Sequence, residues 1–136
     1  MKLNKAGFTL VELMVVAIIV AILAAVAIPL MMGNKNRAMA TEAQAGLGTI
    51  RTAMQVYKAE YGGYPTHYSG QNMGATLTPS LTVKPGDLDG KYYRSSGYVC
   101  TTVTSSNYLL TATGYTNGAE TVVITLDNNG GWGGVP

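Results

Sequence analysis

From Leu13 to Met32 the chain runs twenty residues without a charge or a strongly polar side chain. As a helix rising about 1.5 Å per residue, that run is about 30 Å long, the thickness of a bilayer's hydrocarbon core. One carboxylate, Glu12, stands at its threshold. A charge is costly to carry into lipid, so Glu12 needs a task or a partner.

What precedes the run decides what becomes of it. Lys2 and Lys5 give a cationic start, followed by Ala6-Gly7 and then the apolar segment. An ordinary secretory signal places its apolar core ahead of the small-residue cleavage site and loses that core on cleavage. Here the small residue comes first, so a cut after Gly7 removes the charged leader and leaves the apolar helix on the mature protein. Cationic flanks stay cytoplasmic, which sets the remainder of the chain outside the cytoplasm. The expectation is a membrane protein with a single N-terminal span.

The other side chains exclude several functions. The chain carries nine basic and seven acidic residues, and Lys2 and Lys5 account for the excess. No basic face remains to bind nucleic acid. Cys100 is the single cysteine, which rules out an internal disulfide and any CxxC pair. No nucleophile–base constellation or phosphate loop is present. A paired acid/base site would have to draw on Asp87, Asp89, Glu120 or Asp127, all in or beside expected turns. The chain is read as a non-enzyme.

Within the apolar run, Pro29 removes a backbone donor and predicts a kink or local melting around residues 25–29. Gly33, Asn34 and Asn36 weaken the helix further, and Lys35 and Arg37 mark the membrane surface. Met39, Ala43, Leu47, Ile50, Met54, Tyr57 and Tyr61 then recur at intervals of three and four, one face of an amphipathic helix. Gly46 and Gly48 each cost it about 1 kcal/mol relative to alanine. The sequence YGGYP ends the helix. Residues 61–90 lack periodicity. From Lys91 the chain turns β-prone, with YVCTTV, YLLTAT and TVVITL as strands, KYYR as a candidate edge, and turns at 104–107 and at Asn117-Gly118. The prediction is α+β: a long N-terminal helix, first membrane-spanning and then amphipathic, covering a C-terminal antiparallel sheet of three or four strands. The segments are 1–7 leader, 8–32 apolar helix, 33–60 its amphipathic continuation, and 61–136 head. The head divides into a loop over 61–90, a sheet over 91–126 and a C-terminal loop over 127–136.

The stretch GFTLVEL, the apolar run and Pro29 together resemble the N-terminal segment shared by bacterial type IV pilins and type II secretion pseudopilins. YKAEYGGYPT is similar to the end of the long helix in major pseudopilins and some pilins. The resemblance implies a pilin-like fold and cleavage by a prepilin peptidase between Gly7 and Phe8. It implies N-methylation of the new Phe8 amine, pairing of Glu12 with a neighbour's Phe8 amine during assembly, and loosening of the helix at Pro29. Spacing alone also puts Glu12 within helical reach of its own Phe8 amine. The implied partners are copies of the chain, the peptidase, an inner-membrane assembly platform and the membrane before assembly. The first reading is the subunit of a cell-surface pilus serving adhesion, motility or DNA uptake. The alternatives are a pseudopilin of a periplasmic pseudopilus and a membrane-anchored binding module that does not polymerise.

Many type IV pilins close a C-terminal loop with a disulfide, which Cys100 alone cannot form, and major pseudopilins tend instead to hold calcium in acidic loops. GDLDG (Asp87, Asp89) and LDNNGG (Asp127) offer oxygens at alternate positions near glycine, which suits calcium. Neither completes an EF-hand, and the same residues are ordinary turn formers. Cys100 reads as a small core residue and His67 as a solvated one. Tyr57 and Tyr61 read as packing residues of the helix. Tyr64, Tyr68 and Trp132 are candidates for exposed binding groups.

Overall fold

The computed structural model describes residues 7–73, 81–84, 86–115, 119 and 122–134. The leader upstream of Gly7, the Asn117-Gly118 turn and Glu120 lie outside them. One helix, α1 (Leu10–Tyr61), is followed by five strands: β1 (Gln71–Asn72), β2 (Tyr98–Val103), β3 (Tyr108–Thr113), β4 (Val123–Asp127) and β5 (Trp132–Gly133). These form one antiparallel sheet in the order β1-β2-β3-β4-β5. The fold is α+β and pilin-like. Two compact units meet between Lys35 and Asn36.

In the first unit α1 is unbroken through Pro29 and on through Gly33 and Asn34. The melting predicted around residues 25–29 is absent. Proline at position 29 withdraws a single donor, the one that would reach the Ala25 carbonyl, while the ladder on either side is intact.

In the second unit the helical stripe does what its spacing predicts over most of its length. Met39, Ala43, Leu47, Ile50 and Met54 are buried, joined by Ala40 and Ala53. They pack on the inward residues of the sheet: Tyr98, Cys100 and Val103 of β2, Leu110 and Ala112 of β3, and Ile124 and Leu126 of β4. The stripe fails at its end. Tyr57 is half-buried, and Tyr61 is 67% exposed and stacks on Tyr57 at 4.4 Å between ring centroids.

Strict alternation in YVCTTV would turn Thr102 inward. A bulge between Cys100 and Thr102 shifts the register, so that Cys100 faces Leu110 but Thr102 faces Leu109. The extra residue resets the phase and brings Val103 into the core. The turn after β2 is held as expected: the Asn107 amide donates to Thr104 Oγ1 at 3.0 Å. KYYR is not a strand. The edge beside β2 is instead β1, from the segment expected to be irregular, and the other edge is β5, from the expected C-terminal loop. Both edges are two residues long, which leaves little template for foreign strands.

The two helical glycines have opposite surroundings. Any side chain at Gly46 would collide with the tip of the Tyr98 ring, whereas nothing lies within 4 Å of a Cβ at Gly48. Overpacking costs about 1–3 kcal/mol, and replacing helical glycine by alanine returns up to about 1 kcal/mol. Gly46→Ala should therefore lower the stability of the full chain in detergent micelles by about 1–2 kcal/mol. Gly48→Ala should raise it by up to about 1 kcal/mol. Thermal unfolding reads both, and shifts of the same sign would contradict the close approach of Tyr98 to the helix.

Candidate assembly site

The N-terminal segment is where sequence reasoning concentrated its site residues. Gly7 and Phe8 are exposed and precede the helix. Glu12 lies in the first turn of α1, and its Oε2 accepts from the Thr9 amide at 2.8 Å and from Thr9 Oγ1 at 2.9 Å. The Glu12 amide in turn donates to Thr9 Oγ1 at 3.2 Å. This reciprocal pair is a capping box, with Thr9 as the N-cap and Glu12 three residues on. It satisfies two backbone donors that a helix start leaves open. Thr9 escaped the sequence reading, although its signal was present: a Thr-x-x-Glu step immediately before an apolar run.

From Leu10 to Met32 the apolar side chains are exposed, from Leu10 at 87% to Met32 at 64%. This helix is long and apolar enough to cross a membrane, and none of its most apolar window, of mean hydropathy 3.1, is buried. Such a surface requires either lipid or other apolar helices.

The residues offered for calcium are spent locally. Asp87 Oδ2 accepts the Lys84 amide at 2.9 Å. Asp89 Oδ1 accepts both the amide and the hydroxyl of Ser95 at 2.7 Å, and these bonds hold its carboxyl below the usual carboxylate range. Asp127 Oδ1 accepts the Gly131 amide at 2.7 Å and so builds the β4–β5 turn. Asp87 and Asp89 share one loop, whereas Asp127 is the last residue of β4. Among the described residues no group of three or more His, Cys, Asp or Glu is arranged to hold a metal ion.

Tyr64 and Tyr68, proposed as exposed binding groups, are buried at 7% and 0% exposure. Tyr64 packs edge-on against Tyr108 at 4.7 Å beneath the Lys58 ammonium, because the chain folds back under the sheet as soon as α1 ends. Trp132 is 43% exposed. His67 is exposed, and Cys100 is in the core, where burial pushes its thiol up to about 11.

Sequence reasoning also passed over Glu42, an off-stripe helical residue. Its Oε1 accepts the amides of Tyr92 and Tyr93, both at 2.8 Å, and so fastens the loop ahead of β2 to α1. Nothing in the local sequence signals a contact fifty residues long.

Against known proteins, residues 2–28 match the prokaryotic N-terminal methylation motif. The chain is 34% identical over 96 residues to type II secretion system core protein G of Vibrio cholerae, covering 71% of this chain and 61% of that protein. It is 35% identical over 98 residues to the protein of that name from Aeromonas hydrophila, covering 72% and 64%. With the Pseudomonas aeruginosa protein the identity is 33% over 97 residues, covering 71% and 63%. The chain thus spans less than two thirds of the length of these relatives. The methylation motif at the apolar helix, the α+β head behind it and these likenesses together place the chain in the type IV pilin and pseudopilin family.

Proposed function

We propose that the chain is a pseudopilin, a structural subunit that polymerises through its N-terminal helix into a periplasmic pseudopilus of a type II secretion system. The observation that carries polymerisation is the exposed apolar surface of Leu10–Met32 on a chain whose sheet already has a core of its own. In the membrane, lipid covers that surface. Outside it, the helices of other copies would, and burial among them replaces what extraction from lipid loses. The names of the relatives favour secretion over the surface pilus for adhesion, motility or DNA uptake that stood first on sequence alone.

In this reading a prepilin peptidase cuts between Gly7 and Phe8 and the Phe8 amine is methylated. Glu12 then exchanges its bonds to Thr9 for the Phe8 amine of a neighbour, setting axial register. Attraction between amine and carboxylate is strong in low dielectric, but desolvation offsets much of it, so the pair contributes register more than stability. Pro29 marks where the helix loosens as subunits pack. The partners are further copies, the peptidase and an inner-membrane assembly platform.

The test is intact-mass spectrometry of envelope and sheared-surface fractions, alongside an assay of protein export in a strain lacking the chain. A mass lower by seven residues and higher by one methyl group, confined to the envelope, with export lost, is the expected result. The same species abundant in the sheared fraction, with export intact, would return the reading to a surface pilus. A mass that retains Met1–Gly7 in every fraction would overturn processing and polymerisation together.

A further inference from the structure

The turn from β4 to β5 contains an Asn-Gly step, Asn129-Gly130, with Asn129 exposed at its tip. A backbone amide nitrogen that follows asparagine can attack the side-chain amide carbon and close a succinimide ring. Glycine shields that nitrogen least, because it carries no side chain. Glycine is also what this turn requires: Gly130 has a φ of +90°, which other residues rarely adopt.

The surroundings favour the attack. Asn128 Nδ2 donates to Asn129 Oδ1 at 3.1 Å, which draws electron density from Asn129 Cγ, the carbon under attack. The attacking nitrogen of Gly130 is held by a bond to the Asp127 carbonyl at 3.2 Å, the long end for N–H···O. The Arg51 guanidinium lies against Gly130: a Cβ there would stand 2.7 Å from Nη1 and 2.9 Å from Nη2. A cation so placed favours loss of the amide proton and the oxyanion that follows. Arg51 supplies an independent observation as well. Its Nε is buried without a hydrogen-bond partner, so a carboxylate formed beside it would meet an open, charged donor.

We propose that Asn129 is a self-modification site, converted through a succinimide to aspartate or isoaspartate, with Arg51 promoting the reaction and pairing with the carboxylate it yields. The Gly130 nitrogen bonds to Asn129 Cγ, the bond from Cγ to Nδ2 breaks, and the amide proton leaves with Nδ2 as ammonia. Water then opens the ring, its hydroxyl going to the carbonyl carbon and its proton to the nitrogen. Opening at Cγ restores the backbone and leaves aspartate. Opening at the main-chain carbonyl routes the backbone through Cγ and leaves isoaspartate. Water is the sole co-reactant, and the turn gains one negative charge. Isoaspartate also lengthens the backbone just ahead of β5. That strand is held only by the pairs Thr125–Gly133 and Leu126–Trp132, so the longer turn releases the edge that carries Trp132.

The experiment incubates the full chain in detergent micelles in mildly alkaline buffer and follows digested peptides by mass spectrometry, with isoaspartate detected by enzymatic methylation. Asn117-Gly118 has the same dipeptide and serves as the internal reference for what sequence alone confers. Steady conversion of Asn129 to both isomers, faster in the folded chain than in urea, is expected. Arg51→Gln should slow it about tenfold. Asn128→Ala should slow it about threefold. Arg51→Lys keeps the charge and should keep most of the rate, and the Asn117 peptide should convert alike in every variant. An Asn129 that stays an amide while Asn117 converts would overturn the site. Equal rates at Asn129 in the folded chain, in urea and in Arg51→Gln would overturn the role of Arg51. Asn129→Asp tests the end state: its thermal midpoint should rise in the parent chain and not on the Arg51→Gln background. The same change on both backgrounds would remove the ion pair. No readout needs a polymer, so the site stands or falls apart from the pseudopilin reading.

Discussion

Glu12→Ala should reduce polymer by roughly a hundredfold, the scale expected when one member of a desolvated ion pair is removed. Thr9→Ala should reduce it by no more than about fivefold, the usual value of an N-cap side chain. The contrast separates two tasks of one carboxylate, one seen in the structure and one proposed. Within a single copy Glu12 serves the capping box with Thr9. In the proposed polymer it serves the Phe8 amine of another copy. If capping were its whole task, the two alanine variants would suffer alike, because each removes one half of the same reciprocal bond. Glu12→Gln sharpens the test, since the amide oxygen can still accept from the Thr9 amide while the charge is gone. It should behave like Glu12→Ala. Pelleted polymer, normalised to the amount of processed protein in the membrane, is the measurement. Equal loss in Thr9→Ala and Glu12→Ala, or near-normal yield from Glu12→Gln, would remove the inter-subunit pair from the mechanism.

What could be seen in the sequence was whatever is encoded locally. The apolar run, the stripe from Met39 to Met54, the three long strands and the turn at 104–107 each follow from residues within one helical or strand period, and each is present. The assembly segment is local too, which is why its resemblance to a family was visible in a few residues. The errors fall where distant chain decides. Gln71–Asn72 and Trp132–Gly133 have no strand pattern of their own; they extend because β2 and β4 present open edges. Tyr64 and Tyr68 are separated by glycines, proline and polar residues that suggest a surface, yet the Tyr64 amide donates to the Ser105 carbonyl and carries both rings under the sheet. The bulge in β2 is set by which residue the core needs, Val103 rather than Thr102, and alternation alone cannot announce it. At Pro29 the expected melting is absent because one missing donor leaves the helical ladder on either side in place.

Glu42 is the strongest case of such long-range coding, and Glu42→Ala is expected to destabilise the head by about 2–4 kcal/mol. The side chain accepts two amides, so its loss strands both donors beside the buried Tyr93 ring. The loop it holds is tied in elsewhere. The Tyr93 hydroxyl donates to the Val122 carbonyl at 2.7 Å, the Tyr115 amide donates to the Tyr92 carbonyl at 2.8 Å, and the Gly90 amide donates to the Tyr93 carbonyl at 2.8 Å. Glycine at position 90 leaves room for the Glu42 carboxylate, which a Cβ there would crowd. Releasing the loop from α1 therefore loosens one side of a segment still fixed on the other, which predicts local opening before global unfolding. Hydrogen exchange distinguishes the two: the Tyr92 and Tyr93 amides should lose protection in Glu42→Ala while the amides of β3 and β4 keep most of theirs. Glu42→Gln retains an acceptor oxygen without the charge and should cost about half as much. Unchanged protection at Tyr92 and Tyr93 in the alanine variant would mean that the loop is held by its remaining bonds and by Tyr93 packing, and that Glu42 is a surface residue after all.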